Sequence, residues 1–287
     1  MPKISVIILT YNSRGCIKPC LDSLFGQRHE DVEVIVVDNG SNDSTLDLIR
    51  GNYPGLRIIA NKGNLGASRG RNQGIEAASG EWILTLDCDV ILEDGFIKEA
   101  MELAGSPRGR LGIIQPKILS KSKEKIYSCG IGVYWLKRFY DIGRNLSDGK
   151  IFGLSFPVFG ACCAAALYRR KMLDDLKDRY GYFDERFFFL FEDADLSWRA
   201  QKKGWVCMFY PKTKCFHGGN SSSTDGLTRQ LFSFRNRHLA ILKNQNPVFV
   251  LLMLPAYFIY DIPRFLVLLA KFRFNFKKFY NLYHVQG

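Results

Sequence analysis

The stretch VEVIVVDNGSNDSTLDLIRG, residues 32–51, contains the unit from which the fold is predicted. Its opening segment VEVIVVD is rich in valine and isoleucine and predicts a strand that ends at Asp38. A short polar segment follows, and STLDLIRG (44–51) then predicts a helix with Ser44 as its N-cap. A strand and a helix joined in this order are typical of parallel βαβ sheets.

The same alternation continues on both sides of this stretch. We predict strands at KISVIIL (3–9), LRIIA (56–60) and EWILTLD (81–87), and helices at CIKPCLDSLFGQ (16–27) and ASRGRNQGIEAA (67–78). Alternating strands and helices favour an α/β fold with a doubly wound, mostly parallel, Rossmann-like sheet. Gly66, Gly70 and Gly74 recur every four residues, which predicts a helix that packs closely on that sheet.

Beyond Val90 the pattern is less regular. EDGFIKEAMELA (93–104) and EDADLSWRAQKKG (192–204) predict helices, GIIQPKI (112–118) and WVCMFYP (205–211) predict strands, and residues 120–156 fit neither pattern. The simplest division of the chain is a catalytic domain, residues 1–243, followed by a helical C-terminal appendage, residues 244–287.

The composition narrows the class of protein. With 47% hydrophobic residues in 287, the chain can form a globular core. The first apolar run, residues 4–9, is too short for a signal peptide. The eight cysteines form no C-x-x-C pair, which argues against a zinc ribbon and favours reduced thiols in the cytoplasm. Dinucleotide-binding, P-loop and nucleophile-elbow motifs do not occur.

Polar or acidic residues follow four of the predicted strands. They are Thr10 to Asn12, Asp38 to Ser41, Asn61 to Gly66, and Asp87 to Asp89. Ligands of open α/β sheets bind beyond the carboxyl ends of the strands. Asp and Asn are also common in turns, but four polar strand ends at one edge favour a binding site. Asp87 and Asp89 supply the carboxylates that Mg²⁺ or Mn²⁺ prefers when it binds a diphosphate.

Five segments together resemble a known family. ISVIILTYN, VIVVDNGSNDST, NLGASRGRNQGI, ASGEWILTLDCDV and GYFDERFFFLFEDADLSWRAQKKGW are similar, in order and spacing, to the family-2 inverting glycosyltransferases of the GT-A fold. The similarity is greatest to the branch of rhamnosyl- and galactofuranosyltransferases of cell-surface glycans. It covers residues 3–243 and implies a nucleotide-sugar donor, Mn²⁺ or Mg²⁺, and a glycan or lipid-linked saccharide acceptor.

The resemblance also implies roles for individual residues. It implies that Asn12 and Asp38 hold the nucleotide base and ribose of the donor, and that Asn64, Gly66, Arg71 and Asn72 line the donor pocket. Asp87 and chiefly Asp89 would hold the metal, and His217 would lie near the diphosphate or metal. Asp193 would be the catalytic base. Two positions differ from the family pattern. Gly70 stands where alanine is usual, and Cys162-Cys163 stands in the strand on the acceptor side.

The chemistry of sugar transfer supports these assignments separately. A metal stabilises the departing diphosphate, and a carboxylate removes the proton of the acceptor hydroxyl. Glu192 and Asp193 begin a predicted helix, where acids also complement the helix dipole. With Asp195 they make three acids within four residues, beside the aromatic run 187–191, which exceeds that need. His217 is either a metal or phosphate contact or an ordinary loop histidine, and Arg235 and Arg237 face phosphate or belong to a basic surface.

The net charge of +12 is concentrated at the C-terminus. Residues 226–287 contain nine Lys or Arg and one acid, Asp261. PVFVLLMLPAYFIY (247–260) is uncharged but interrupted by Pro255, and it is shorter than the roughly 20 residues of a spanning helix. Aromatic residues then alternate with basic ones as far as Lys278. This pattern predicts a peripheral anchor on an anionic membrane surface. A helix packed on the domain or on a second copy is the alternative, and nucleic acid is disfavoured by the aliphatic run.

The sequence therefore predicts a metal-dependent, inverting hexosyltransferase at the cytoplasmic face of the membrane. Two alternatives stay open. A lipid-phosphate sugar synthase has a phosphate acceptor and needs no strong hydroxyl base. A catalytically silent sugar-nucleotide-binding or membrane scaffold protein needs no base at all.

Overall fold

The fold was analysed in a computed structural model. It describes residues 4–27, 29, 31–106, 109–219, 224–272, 277 and 279–280. Two segments considered in the sequence lie partly outside these residues. They are HGGNSSS (217–223), which begins at His217 and is described as far as Gly219, and the basic tail, at Arg273 and Lys278.

Twelve strands and eight α-helices make up the described chain. In chain order they are β1 Ile4–Thr10, α1 Ile17–Phe25, β2 Val32–Asp38, α2 Thr45–Asn52, β3 Arg57–Ala60, α3 Ala67–Ala77, β4 Trp82–Asp87, β5 Val90–Leu92, α4 Phe96–Ala104, β6 Leu111–Ser120, β7 Ile126–Ser128, β8 Ile131–Val133, β9 Phe139–Asp141, β10 Phe156–Val158, β11 Ala165–Arg169, α5 Arg170–Leu176, α6 Glu192–Lys202, β12 Val206–His217, α7 Gly226–Asn244 and α8 Pro247–Lys271. Short 3-10 helices lie at Lys150–Gly153 and Glu185–Phe187.

The main sheet has the strand order β10-β12-β6-β11-β4-β1-β2-β3. The pairs β4–β1, β1–β2 and β2–β3 are parallel, which confirms the βαβ prediction for the first 87 residues. The second half is mixed, because β11 pairs antiparallel with both β4 and β6. The α/β class with a mostly parallel sheet is thus correct, and the antiparallel pairs lie in the half of the sheet beyond β4.

The central strands are buried on both faces. Along β1, Ile4, Val6 and Ile8 contribute to the hydrophobic core on one face, and Ile7 to the core on the other. Successive side chains of a strand point to opposite faces, and helices cover both faces here. This explains why the parallel strands appear in the sequence as nearly continuous apolar runs.

The glycines of α3 permit the predicted close packing. A Cβ on Gly70 would lie 2.4 Å from Leu9 Cδ1, and one on Gly74 would lie 2.3 Å from Ile7 Cγ2. Both contacts are with β1, so a larger residue would push the helix away from the sheet. The departure from alanine at Gly70 therefore has a packing reason.

Two local predictions need correction. Ser44 is at the N-cap position of α2 as predicted, but it has a left-handed φ of 63° and its side chain makes no capping bond. The capping bond comes from Asp43, whose Oδ1 accepts from the Thr45 N–H at 3.1 Å. Cys162 and Cys163 lie in the turn that precedes β11, not in the strand itself.

The C-terminal apolar run is longer than the sequence suggested. Instead of ending near Pro255 or Asp261, α8 continues through both residues and through Pro263 for 25 residues. Among the described helices it is the one long and apolar enough to cross a membrane, and it is 6% buried over its most apolar stretch. The run-length argument against a spanning segment therefore does not apply to the folded helix. Length and composition alone do not show a membrane span, because core helices and signal sequences share them.

Candidate active site

A cavity of about 350 Å³ lies at the carboxyl ends of the parallel strands. The strand register brings Thr10 beside Asp38, Leu9 beside Asp87 and Asp38 beside Ala60, so the polar ends meet at one edge as predicted. The cavity is lined by Leu9, Thr10, Tyr11, Ser13, Asn39, Asn64, Gly66, Ala67, Arg71, Asp87, Cys88, Phe188, Phe189 and Thr224. Four of the predicted site residues, Asn64, Gly66, Arg71 and Asp87, are in this wall.

Asn12 and Asp38 lie behind this wall. Within the described chain neither side chain lines the cavity. The Asp38 carboxylate is fully buried and accepts from the backbone N–H groups of Gly40 and Ser41, at 3.1 and 2.9 Å. Asn12 Oδ1 accepts from the Asn42 N–H at 2.9 Å. Both residues therefore shape the loops around the cavity.

Asn72 also acts on a loop. Its Oδ1 accepts from the Phe183 N–H at 2.9 Å, and its Nδ2 donates to the Phe183 carbonyl at 2.8 Å. A further Nδ2 bond, of 3.1 Å, reaches Glu185 Oε1. In the described structure this buried amide lies outside the cavity lining and holds the segment that leads into residues 187–191.

Residues 188–191 form a loop of unusual backbone geometry, which sequence reasoning missed. Phe188, Leu190 and Phe191 have φ values of 60°, 69° and 71°, in the left-handed region that non-glycine residues rarely adopt. The loop is held by Asn236 of α7, whose Nδ2 donates to the carbonyls of Phe187, Phe189 and Leu190. The aromatic run 187–191 was visible in the sequence, but the interaction with Asn236 was not.

Arg71 connects the larger cavity to the acids of α6. Its guanidinium is buried and contacts Asp87 Oδ1 at 3.0 Å and Glu192 Oε1 at 2.6 Å. One cation thus neutralises part of the charge of two carboxylates that lie 105 residues apart in the sequence (192 − 87 = 105). Removing it would leave the buried Glu192 and the half-buried Asp87 without this partner.

Asp87, Asp89 and His217 form a cluster whose potential ligand atoms all lie within 4.8 Å of one another. His217 Nε2 is 3.4 Å from Asp89 Oδ1 and 3.8 Å from Asp87 Oδ2. Two carboxylates and one imidazole suit Mn²⁺, and the carboxylates also suit Mg²⁺. The Tyr127 ring stacks on His217 at a centroid distance of 4.2 Å and fixes its plane.

His217 is less ready for a metal than the carboxylates. Its Nδ1 accepts from the Gly219 N–H at 2.8 Å, so the neutral ring carries its proton on Nε2 and donates toward the acids. Ligation through Nε2 requires that proton to move to Nδ1 and the bond to Gly219 to break. The carboxylates therefore fit a metal as they stand, whereas His217 fits it only after this rearrangement.

A second cavity, of about 140 Å³, adjoins the first. It shares Arg71 and Asp87 with the first cavity and is also lined by Asp193, His217, Tyr127 and the two cysteines of the turn before β11. Asp193 Oδ1 accepts from the Ala194 N–H at 2.8 Å, and Oδ2 has a weak contact of 3.4 Å with the Cys163 N–H. Burial, and then the neighbouring Glu192 charge, raise the pKa of Asp193 to about 7.

The three acids of α6 have different partners. Glu192 is held by Arg71. Asp195 is fully buried, and its carboxylate binds Arg199, Lys243 and Asn244 at 2.9, 3.0 and 2.7 Å. Asp195 therefore fastens α7 to α6, and among the described residues it is not part of either cavity wall. Asp193 is the acid that lines the second, smaller cavity and has no ion pair in the described structure.

The mixed sheet has a parallel half that ends at Asp87 and Asp89, and the acidic helix α6 follows it in the chain; this is the arrangement of the GT-A fold. The profile of Glycosyl transferase family 2 matches residues 5–177, which is more than half of the chain. The chain belongs to this family.

Relatives agree with this assignment. The chain is 24% identical over 238 residues to the N-acetylglucosaminyl-diphospho-decaprenol L-rhamnosyltransferase of Mycobacterium tuberculosis, and the match covers 75% of each chain. It is 43% identical over 95 residues to the poly(ribitol-phosphate) beta-glucosyltransferase of Bacillus spizizenii, covering 30% of this chain and 15% of that protein. The chain spans only 15–48% of the length of three curated relatives that it matches.

A solved structure supports the fold. The mannosyltransferase PcManGT from Pyrobaculum calidifontis, in complex with GDP-Man and Mn²⁺, superposes with a TM-score of 0.59. The sequence identity is 16%, and the match covers 84% of this chain and 64% of that one. At this identity the likeness concerns the fold.

Proposed function

We propose that the protein is a divalent-metal-dependent, inverting hexosyltransferase. Its donor is a nucleoside-diphosphate sugar, rhamnose-like or another hexose, and its acceptor is a hydroxyl of a surface glycan or of a lipid-linked saccharide. The observation that carries the proposal is the pair of adjoining cavities, which share Asp87 as a lining residue. Asp89 is clustered beside Asp87, and Asp193 lines the smaller cavity. A rhamnosyltransferase among the relatives supports this class of reaction.

The donor is proposed to occupy the larger cavity. Asn64, Gly66 and Arg71 line it directly, whereas Asn12, Asp38 and Asn72 keep its loops in shape. Gly66 is required at the wall because a Cβ there would lie 2.5 Å from Phe188 Cδ2. We therefore expect affinity for the nucleotide sugar to depend on the lining residues through direct contact. It should depend on Asn12, Asp38 and Asn72 through the position of the loops.

The metal is proposed to be held by Asp89 and Asp87, with His217 beside them. Bound Mn²⁺ or Mg²⁺ would neutralise the diphosphate as it departs. Solved neighbours of the fold are described with Mn²⁺ and a nucleotide or nucleotide sugar, which supports this proposal. Arg71, which contacts Asp87, adds a fixed positive charge next to the same position.

Asp193 is proposed as the general base. The acceptor hydroxyl gives its proton to the Asp193 carboxylate while its oxygen forms the new bond to the anomeric carbon, and the bond from that carbon to the diphosphate oxygen breaks on the opposite face. A pKa near 7 suits a base at neutral pH. Glu192 and Asp193 side by side would repel a phosphate acceptor, so this pair supports a hydroxyl acceptor over the lipid-phosphate alternative.

We propose that α8 associates with a membrane in the plane of its surface. Over its second half α8 contacts α7 through Lys271 with Gln230, Phe265 with Phe234, and Asp261 with His238. Crossing a bilayer would take the charged and polar side chains of α7 into hydrocarbon as well, which is costly. The predicted domain boundary after Lys243 falls one residue before α7 ends, so we propose that all of α7 belongs to the catalytic domain and that the appendage begins with α8.

We place the protein at the cytoplasmic face. All eight cysteines are described and are free thiols, which agrees with a reducing compartment. The location also suits an acceptor that is carried on a lipid.

The proposed function can be tested with a panel of nucleoside-diphosphate sugars in a thermal-shift assay. At a ligand concentration of 100 times the Kd, binding stabilises the fold by about 2.7 kcal/mol. We expect at least one donor to raise the melting temperature with Mn²⁺ present and to lose this effect in chelator. No stabilisation by any donor in the presence of metal would contradict the proposal.

A further inference from the structure

The hairpin of β8 and β9, residues 131–141, presents an exposed aromatic tip. Trp135 is 67% exposed and Tyr134 is 57% exposed, and the Tyr134 ring stacks on Tyr140 at a centroid distance of 4.4 Å. The other three tryptophans are at most 7% exposed; they are Trp82, Trp198 and Trp205. Exposed clusters of large apolar side chains mark interaction surfaces, and the chemistry proposed above makes no use of this one.

The tip packs beside α8. The Arg138 guanidinium lies 5.5 Å from the Tyr260 ring centroid, and Lys137 Nζ lies 5.3 Å from that of Phe249. These two helix positions are 11 residues apart (260 − 249 = 11), so the tip lies along about 16 Å of the helix. Arg237 of α7 fixes the tip, because its guanidinium donates to the carbonyls of Leu136 and Lys137.

The exposed face of α8 is aliphatic next to this tip. Its members that are more than half exposed include Leu251, Leu252, Ile259, Leu266 and Val267. The one acid of the helix, Asp261, is buried in an ion pair with Arg237 at 2.9 Å. The exposed face therefore contains apolar surface and basic side chains but no exposed carboxylate of the helix.

Positive charge is concentrated where the tip meets the helix. Burial lowers the pKa of Arg264, and the neighbouring guanidinium groups of Arg237 and Arg138 lower it further. Arg237 is buried and paired with Asp261, whereas Arg138 and Arg264 are exposed. The exposed positive charge of these two side chains favours an anionic partner. Tryptophan and tyrosine prefer the boundary between lipid and water, and apolar helices with basic flanks lie in the headgroup region of anionic bilayers.

We infer that the hairpin tip and the exposed face of α8 form one docking surface for an anionic lipid bilayer. The docking surface consists of Tyr134, Trp135, Arg138, Arg264 and the exposed aliphatic residues of α8 named above. It extends the membrane contact from the C-terminal helix to a part of the catalytic domain that lies more than 100 residues earlier in the chain, since 247 − 141 = 106.

The docking surface also bears on the acceptor. Phe139, in β9 of the same hairpin, packs on Phe191 and Trp198 at centroid distances of 5.6 and 5.7 Å. Phe191 directly precedes Glu192 and Asp193, and Trp198 lies on the same helix. A docked hairpin thus holds the acceptor-side wall next to the lipid headgroups. Resting on the proposed function, this favours a lipid-anchored saccharide over a soluble glycan as the acceptor.

Lipid quenching of tryptophan fluorescence in the full chain tests the docking surface. The vesicles contain equal parts of phosphatidylglycerol and phosphatidylcholine, with brominated acyl chains that quench nearby tryptophan. We expect quenching on binding, and its loss in Trp135→Phe. A matched control combines Trp135→Phe with Phe25→Trp, which moves the exposed tryptophan to another exposed aromatic position, on α1; this variant should bind without being quenched.

Charge neutralisation gives a second measurement. Arg138→Gln with Arg264→Gln should weaken partitioning into these vesicles about 30-fold, because each basic side chain near an anionic surface strengthens partitioning about fivefold. Arg50→Gln with Lys98→Gln removes the same charge from exposed positions of α2 and α4 and should change partitioning by less than about twofold, because distant charges are screened.

Four outcomes would overturn the docking surface. They are a bound chain without quenching, equal quenching in Trp135→Phe, equal partitioning of the two charge variants, and a lipid-free dimer that hides Trp135 by self-association. Donor binding with Mn²⁺ in the same samples separates this inference from the proposed transferase. Lost quenching with intact donor binding overturns the docking surface alone, and intact quenching without donor binding overturns the transferase alone.

Discussion

Replacing Asp193 by asparagine should reduce catalysis and stabilise the fold at the same time. The pKa of Asp193 is raised from 3.8 to about 7, so the folded protein opposes ionisation of this carboxyl. The protonated Asp193 carboxyl makes its full contribution to the stability of the fold below pH 3.8, and this contribution is lost as the pH rises to about 7. At 1.36 kcal/mol per pH unit the full cost is about 4 kcal/mol.

The measurable gain is smaller than this limit. Asp193 lines a cavity that solvent can enter, which reduces the cost of its charge. Asparagine keeps the acceptor for the Ala194 N–H but turns an amide toward the weaker Cys163 contact. We therefore expect Asp193→Asn to gain about 2 kcal/mol at pH 8 and less at pH 5, or roughly 5 °C in melting temperature at pH 8.

Turnover and binding complete the test. Transfer by Asp193→Asn should fall about 10²–10⁴-fold, with donor affinity nearly unchanged, because only the proton acceptor is lost. Glu192→Gln is the matched control. It breaks the buried pair with Arg71 and should destabilise the fold by about 3–5 kcal/mol. A stability gain of Asp193→Asn that is equal at pH 5 and pH 8, or transfer within a few-fold of normal, would refute this account.

Three further predictions follow from the same site. Calorimetry should show that nucleoside diphosphate binds at least about tenfold more tightly with Mn²⁺ than in chelator, and Asp89→Asn should remove the difference; equal affinities would exclude a metal role. The kcat/KM of the natural chain should rise with pH through a midpoint near 7 as Asp193 ionises, and a flat profile between pH 5 and 8 would point to another base. Asn236→Leu should cost about 2–4 kcal/mol in urea unfolding, because three loop carbonyls lose the Asn236 amide and that of Phe187 keeps only the Phe189 N–H. The same variant should raise the KM for the nucleotide sugar, and unchanged stability would show that the loop is held by other contacts.

The parallel half of the fold was predictable for a physical reason. Strands buried on both faces must be apolar throughout, and their polar ends must lie at one edge. Both features are local in the sequence, so Asp87 could be placed at the same edge of the sheet as Thr10 and Asp38 without knowledge of the packing. The metal cluster with Asp89 followed from the same logic, whereas the inclusion of His217 rested on the family resemblance.

The remaining features depend on contacts between distant segments. The β8–β9 hairpin is only three residues on each side, and its tip is fixed by Arg237, about 100 residues later. The left-handed backbone at Phe188 and Phe191 contradicts local preference and persists because Asn236 binds the loop carbonyls. Neither interaction has a periodic signal, so sequence patterns could not reveal it.

The different environments of two adjacent acids give the strongest reason to assign the base to Asp193. Glu192 and Asp193 share a helix start and are both acidic, so the sequence alone could not separate them. The 2.6 Å bond to Arg71 commits Glu192 to an ion pair that also reaches Asp87. A carboxylate in such a pair is a poor proton acceptor, because taking up a proton would break the pair and leave a buried guanidinium less well neutralised. Asp193 has no ion pair within the described structure, and burial, followed by the Glu192 charge beside it, raises its pKa. Burial raises the pKa of Glu192 as well, but Arg71 opposes that rise. Arg71 therefore favours the ionised form of Glu192 and leaves Asp193 as the acid of the smaller cavity that has no ion pair in the described structure.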